Sequence, residues 1–208
     1  MRDCLFLVAD KSIEAMISGF LSTENFHLKI GCNYFKFEQK HDLRVAHGKN
    51  DPGIYTLANE LLQPYCKTHQ RVIVILDAAW NGSPGAIKIT EQVQNHCRNA
   101  GWNDDNHCVI VIDPELENWV WQNNINVCKE LGSIDSYEAL KAELVAHKFW
   151  LREQSKPNQP KEAVEYILKK NKIPRSSALY KNIAMKVTTK YCTDAAFLKL
   201  KTTLIQWF

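Results

Sequence analysis

A chain of 208 residues with 45% apolar residues, 24% charged residues and a formal net charge of +3 has the composition of an ordinary folded domain with room for a helical appendage. That balance excludes a disordered or fibrous chain, and a charge so close to zero neither demands nor excludes nucleic acid, so only local clusters can speak to partners. The seven cysteines show no CxxC pair and are odd in number, which rules out a complete disulfide framework; reduced thiols and a cytoplasmic protein are expected. No apolar run approaches the ~20 residues of a membrane helix, so no membrane partner is expected.

Three apolar runs each finish on an aspartate: Cys4 to Asp10, Val72 to Asp77 and Val109 to Asp113. Such short, continuous runs of β-branched and aromatic residues predict strands buried on both faces, as in a parallel sheet under helices. After Asp10, Ile13, Met16, Ile17, Phe20 and Leu21 fall at helical spacing, with Ser12 as the expected N-cap. Tyr34 to Gln39 and Leu43 to Ala46 alternate apolar and polar residues and predict two further strands, with one wet face or at a sheet edge. The run from Asn50 to Gly53 predicts a turn, and Ile54, Leu57, Ala58, Leu61 and Leu62 then predict a helix over 54–66.

The strand ending at Asp77 is followed by a glycine-containing loop, Asn81 to Gly85, a helix over 85–100 and the strand ending at Asp113. Pro114 is expected to start a helix containing Leu116, Trp119 and Val120. Beyond residue 130 the strand-like runs stop, and 136–149, 160–171, 177–187 and 194–207 are helical by pattern. The expectation is an α/β fold: a mainly parallel sheet flanked by helices over 1–130, with a helical C-terminal part over 131–208 packed on it.

An acid after each strand matters because open α/β sheets take ligands in the crevice outside the carboxyl ends of their strands. Asp10, Asp77 and Asp113 are expected to converge there, with Glu115 and Glu117 beside Asp113. Several carboxylates at one edge suit Mg²⁺, a hard cation that takes carboxylate oxygens and leaves waters and phosphates to complete its shell. A structural alternative stands beside this one: Asp113 as an N-cap, Pro114 as the first helical residue, and Glu115 and Glu117 where the helix dipole favours negative charge.

Trp80, in the loop after Asp77, offers either a stacking surface or a packing residue. His47 and Lys49 combine a titratable ring and a cation in one turn. The stretch from Lys169 to Lys181 is the most basic, and Ser176 and Ser177 stand just before a helix, where they either hold phosphate with Arg175 or only cap. There is no Gly-Lys-Ser/Thr of a P-loop and no Gly-x-Ser-x-Gly nucleophile elbow.

At Asp77, at 113–119 and at 173–180 the sequence resembles the TOPRIM-like proteins of bacterial anti-phage defence loci, the small DUF4276 and RloB-like group, and looks closest to a small component of methylation-associated defence systems. In that group a first strand leads into an acidic turn, a later strand ends in Asp-x-Asp, and a Glu-x-Trp-like helix start follows the next. The resemblance covers most of the chain in outline. It implies a TOPRIM-like sheet and a Mg²⁺-dependent (or Mn²⁺-dependent) nuclease acting on nucleic-acid phosphodiesters. In such an enzyme Asp77, Asp113, Glu117 and Asp10 bind metal, Glu115 or Glu14 handles the proton, and Lys49, Arg175, Ser176 and Ser177 hold phosphate. The chain departs from the pattern at Ala9, where the turn glutamate belongs, and at Ala79, the second acid of Asp-x-Asp. Those departures open an alternative: a catalytically silent adaptor binding an ATPase or a methyltransferase-associated subunit of the same defence system.

Overall fold

The three runs that end on aspartate become the centre of the sheet. A computed structural model describes residues 1–208 apart from 47, 49, 134–135 and 188–191. In it β1 (Arg2–Val8), β2 (Leu43–Val45), β3 (His69–Asp77) and β4 (His107–Ile112) form one all-parallel, four-stranded sheet in the order β2-β1-β3-β4. Val72 to Leu76 are fully buried, as helices cover both faces. The register sets Val8 against Ile75 and Asp77 against Ile112, so the carboxyl ends of β1, β3 and β4 lie side by side.

Connections explain the layers. β1 passes through α1 (Lys11–Leu21) to β2 on one side, whereas β2 returns through α4 (Asn50–Leu62) past β1 to β3, and β3 continues through α5 (Ala86–Asn99) to β4. Right-handed crossovers running in opposite directions put α1 on one face and the α4–α5 pair on the other. The face of α1 is completed by α10 (Ser177–Lys186), which packs on α1, and by α11 (Ala195–Trp207), which packs on β4. Gly19 permits the α1–α10 contact, since a Cβ there would sit 2.5 Å from the Lys181 carbonyl oxygen. Ahead of α10 in the chain come α7 (Ile125–Glu130), which packs on it, α8 (Tyr137–Ala146) and α9 (Pro160–Lys170).

Four sequence expectations change. Tyr34 to Gln39 is not a strand: β2 occupies the sheet edge beside β1, and the alternating Phe35 and Phe37 dock as an unpaired segment, with Phe35 stacked 4.3 Å from Phe208 and Lys36 N–H donating to Asp3 Oδ2. Asp10, rather than Ser12, caps α1, its Oδ1 accepting the N–H groups of Ser12 and Ile13 at 2.8 Å each. The turn expected at Asn50 to Gly53 is the first turn of α4, a position where Pro52 loses nothing by lacking an N–H. Helix α6 runs only over Glu117–Val120, because 113–116 form a loop whose Pro114 carbonyl accepts from the amides of Ala78 and Ala79. Two short helices, α2 (Phe26–Ile30) and α3 (Gln39–Asp42), have no clear periodic signal in so few residues.

Buried polar side chains pin the elements. Asp194 caps α11 through Phe197 N–H and also accepts Trp119 Nε1 at 2.8 Å, joining α6 to α11. At the amino edge of the sheet the fully buried Asp42 accepts from Arg2, from Glu38 N–H at 2.6 Å and from His69 Nε2 at 3.3 Å. All seven cysteines are free thiols.

Candidate functional site

Strand order reverses between β1 and β3: the chain leaves β1 toward β2 and builds the rest of the sheet on the opposite side, so the helices diverge and a crevice opens at the carboxyl ends of these two strands. Asp10 follows β1 and Asp77 terminates β3, which places both at that switch point. A third carboxylate, Asp51, arrives from the first turn of α4 and accepts the Asp77 backbone N–H at 2.8 Å.

Asp77 is the anomalous member. Its Oδ1 is buried without a hydrogen-bond partner, a condition that most buried polar atoms avoid. Burial, and then the negative charges of Asp51, Glu117, Asp10 and Glu115, push its carboxyl well above the ordinary carboxylate range. Asp51 is also raised, chiefly by burial and further by Asp10, with the Asp77 N–H opposing. Acids from the ends of β1 and β3, from α4 and from the loop after β4 therefore act on one another.

The group after β4 divides. Glu117 is only 3% exposed, and its Oε1 accepts both Arg175 Nη2 and Tyr180 Oη–H at 2.5 Å. Arg175 is also held by Glu165 Oε1 at 2.6 Å, so this cation, expected to steady phosphate, is engaged by two carboxylates. Glu115 is half-buried and accepts Lys161 N–H at 3.3 Å; burial and the charge of Glu117 raise its proton affinity. Asp113 is exposed and does not cap a helix.

The remaining predicted residues lie apart from Asp77 or outside the description. Glu14 pairs with Lys11 Nζ at 2.6 Å and lines a groove beside β2 with Gln39, Lys40 and Arg44. Ser176 is the N-cap residue of α10 with no side-chain cap bond, and Ser177 is the first residue of that helix; both are exposed. His47 and Lys49 lie outside the described residues. Trp80 is half-buried with its ring 6.1 Å from that of Tyr55, which favours the packing role. Asp51 was not singled out by sequence because it stands inside a turn signal rather than after an apolar run. The available clue was its place in the connection leading into the strand that ends at Asp77.

Among the described residues no three His, Cys, Asp or Glu side chains are grouped as a ready-made metal-ligand set. The donors at the switch point still suit Mg²⁺, which keeps several waters and is held by one or two carboxylates plus substrate phosphates rather than by an all-protein cage. Asp77 and Asp51 provide such a pair, with an unsatisfied buried oxygen between charges of the same sign. Comparison with protein-family models, with curated proteins and with solved structures gives no match.

Proposed function

We propose that the chain is a TOPRIM-like component of bacterial anti-phage defence whose crevice between β1 and β3 takes Mg²⁺ (or Mn²⁺) and acts on nucleic-acid phosphodiesters. The observation that carries this reading is the buried, unpartnered Oδ1 of Asp77 surrounded by the carboxylates of Asp10, Asp51, Glu115 and Glu117. An unpartnered buried oxygen among like charges is costly, and a divalent cation relieves both the missing partner and the repulsion. Asp77 and Asp51 are the residues that would hold the ion, with Asp10 adding charge. A bound Mg²⁺ supplies charge neutralisation at a phosphate oxygen and an acidified water. Glu115, half-buried and with raised proton affinity, is the residue that would pass a proton to the leaving oxygen.

A second reading has its own support. Glu117 is locked by Arg175 and Tyr180, and the acids expected at Ala9 and Ala79 are missing, as in a fold kept for binding an ATPase or a methyltransferase-associated subunit rather than for turnover.

Cleavage assays on single- and double-stranded DNA and on RNA, with Mg²⁺, Mn²⁺ or EDTA, separate the two. The nuclease reading expects metal-dependent cleavage that Asp77→Asn and Asp51→Asn each abolish. Cleavage indifferent to both changes would place the chemistry elsewhere, and no cleavage of any substrate with either metal would favour the adaptor.

A further inference from the structure

Just past the C-terminal end of α6 lies a cavity of about 420 Å³, lined by Trp121, Tyr137, Lys141, Trp150, Ser155 and Lys156 among others, within the range of small-ligand sites. Two ammonium groups face it, and neither forms an ion pair with a carboxylate among the described residues. Lys156 Nζ donates to the carbonyls of Asn118, at 2.9 Å, and Trp121, and its third N–H has no acceptor among the described residues. Lys141 Nζ donates to the Gln154 carbonyl at 2.9 Å and lies 5.0 Å from the centre of the Trp150 ring. Glu138 also lines the cavity, with its Oε1 accepting Asn123 Nδ2 at 3.0 Å; Thr193 adds a hydroxyl.

Carbonyl dipoles and one aromatic face are the direct partners of these two charges, with the Asp194 carboxylate adding a more distant attraction to Lys156. Burying an ammonium on such terms is unfavourable, and it pushes the proton affinity of Lys156 down. An anion entering the cavity would take the spare Lys156 N–H and the Lys141 charge together, with the Ser155 hydroxyl on the same lining.

We propose that the Lys141–Lys156 cavity is a binding site for a phosphate group carried by a nucleotide or by a nucleic-acid backbone. It stands independently of the carboxylate crevice, since its residues belong to α8 and to the loops around 121–123 and 150–156.

Calorimetric titration with thymidine monophosphate, the phosphorylated dinucleotide pTpT and inorganic phosphate tests this. Binding is expected, weakening with added salt, and Lys141→Gln should weaken it about tenfold, the worth of one charge-assisted contact. With EDTA present, which keeps the carboxylate crevice free of metal, Asp77→Asn should leave it unchanged. Tighter binding of pTpT than of the mononucleotide would identify a nucleic-acid backbone as the source of the phosphate, and equal binding of those two a nucleotide; inorganic phosphate bound as tightly as either would show a site for the free anion and overturn the assignment. Lys156→Met should abolish binding, and if that variant fails to fold, Lys141→Gln decides, because Lys141 can be shortened without baring the Asn118 and Trp121 carbonyls. No binding of any probe, wild-type affinity in Lys141→Gln, or loss of binding in Asp77→Asn would each overturn the proposal.

Discussion

Replacing Asp77 by asparagine should stabilise the metal-free protein, the reverse of what a buried polar substitution usually does. The native carboxyl has one buried oxygen without a partner and sits among four acids that raise its proton affinity. Asparagine keeps the shape, removes the charge and brings an N–H₂ that the Asp51 or Asp10 carboxylate can accept. Relief of one unsatisfied buried atom is worth about 1–3 kcal/mol. For a chain of this length that corresponds to a rise in melting temperature of roughly 2–12 °C. The sign with pH follows from the raised folded-state proton affinity. The stability associated with Asp77 is fully present below the unfolded carboxylate range and is lost as pH rises through the higher folded-state value, so the advantage of asparagine grows with pH. The assay is thermal melting in EDTA and in Mg²⁺ across pH 5 to 8. Saturating Mg²⁺ should raise the wild type, by about 2.7 kcal/mol at a hundredfold excess over Kd, and leave the variant unmoved. A variant that melts below the wild type in EDTA at every pH would refute the reasoning, because Asp77 would then be a satisfied structural residue.

Gly19→Ala should separate α1 from α10, since the added methyl meets the Lys181 carbonyl at 2.5 Å; a loss of about 1–3 kcal/mol by urea denaturation is expected. Asp42→Ala should cost about 3–5 kcal/mol by the same method, because it strands Arg2, His69 and the Glu38 N–H together. That network should also fail in acid. Burial lowers the proton affinity of His69 despite Asp42, so the stability it contributes is present above the unfolded histidine range and is lost as pH falls through its depressed folded value; stability curves of wild type and His69→Asn should converge at low pH. Arg175→Ala leaves Glu117 buried without its cation, and a loss of about 1–3 kcal/mol, discounted for the partial exposure of Arg175, should appear in denaturation.

The sheet was legible because its strands are buried on both faces, which leaves the unbroken runs Val72 to Leu76 and Val109 to Ile112 with no competing helical period. The C-terminal helices were legible from their apolar spacing. Tyr34 to Gln39 misled because alternation records which side chains turn inward, and Phe35 and Phe37 turn inward from a loop as well as they would from a strand. The site was legible in half. Asp10 and Asp77 could be placed from strand ends alone, whereas Asp51 depends on how α4 returns across β1, and that return is set by strand order rather than by any local pattern. A strand end does not fix the direction of Asp113: the loop that follows leaves it exposed, whereas the charges of Glu115 and Glu117 bear on Asp77.

The cation proposed for the β1–β3 switch point can be sought directly by soaking Mn²⁺ into crystals and locating it by anomalous scattering. The account predicts a peak within bonding distance of Asp77 Oδ1 and of an Asp51 oxygen, lost in Asp77→Asn. A crevice without a peak at saturating Mn²⁺, or a peak found only at the exposed Asp113, would contradict it.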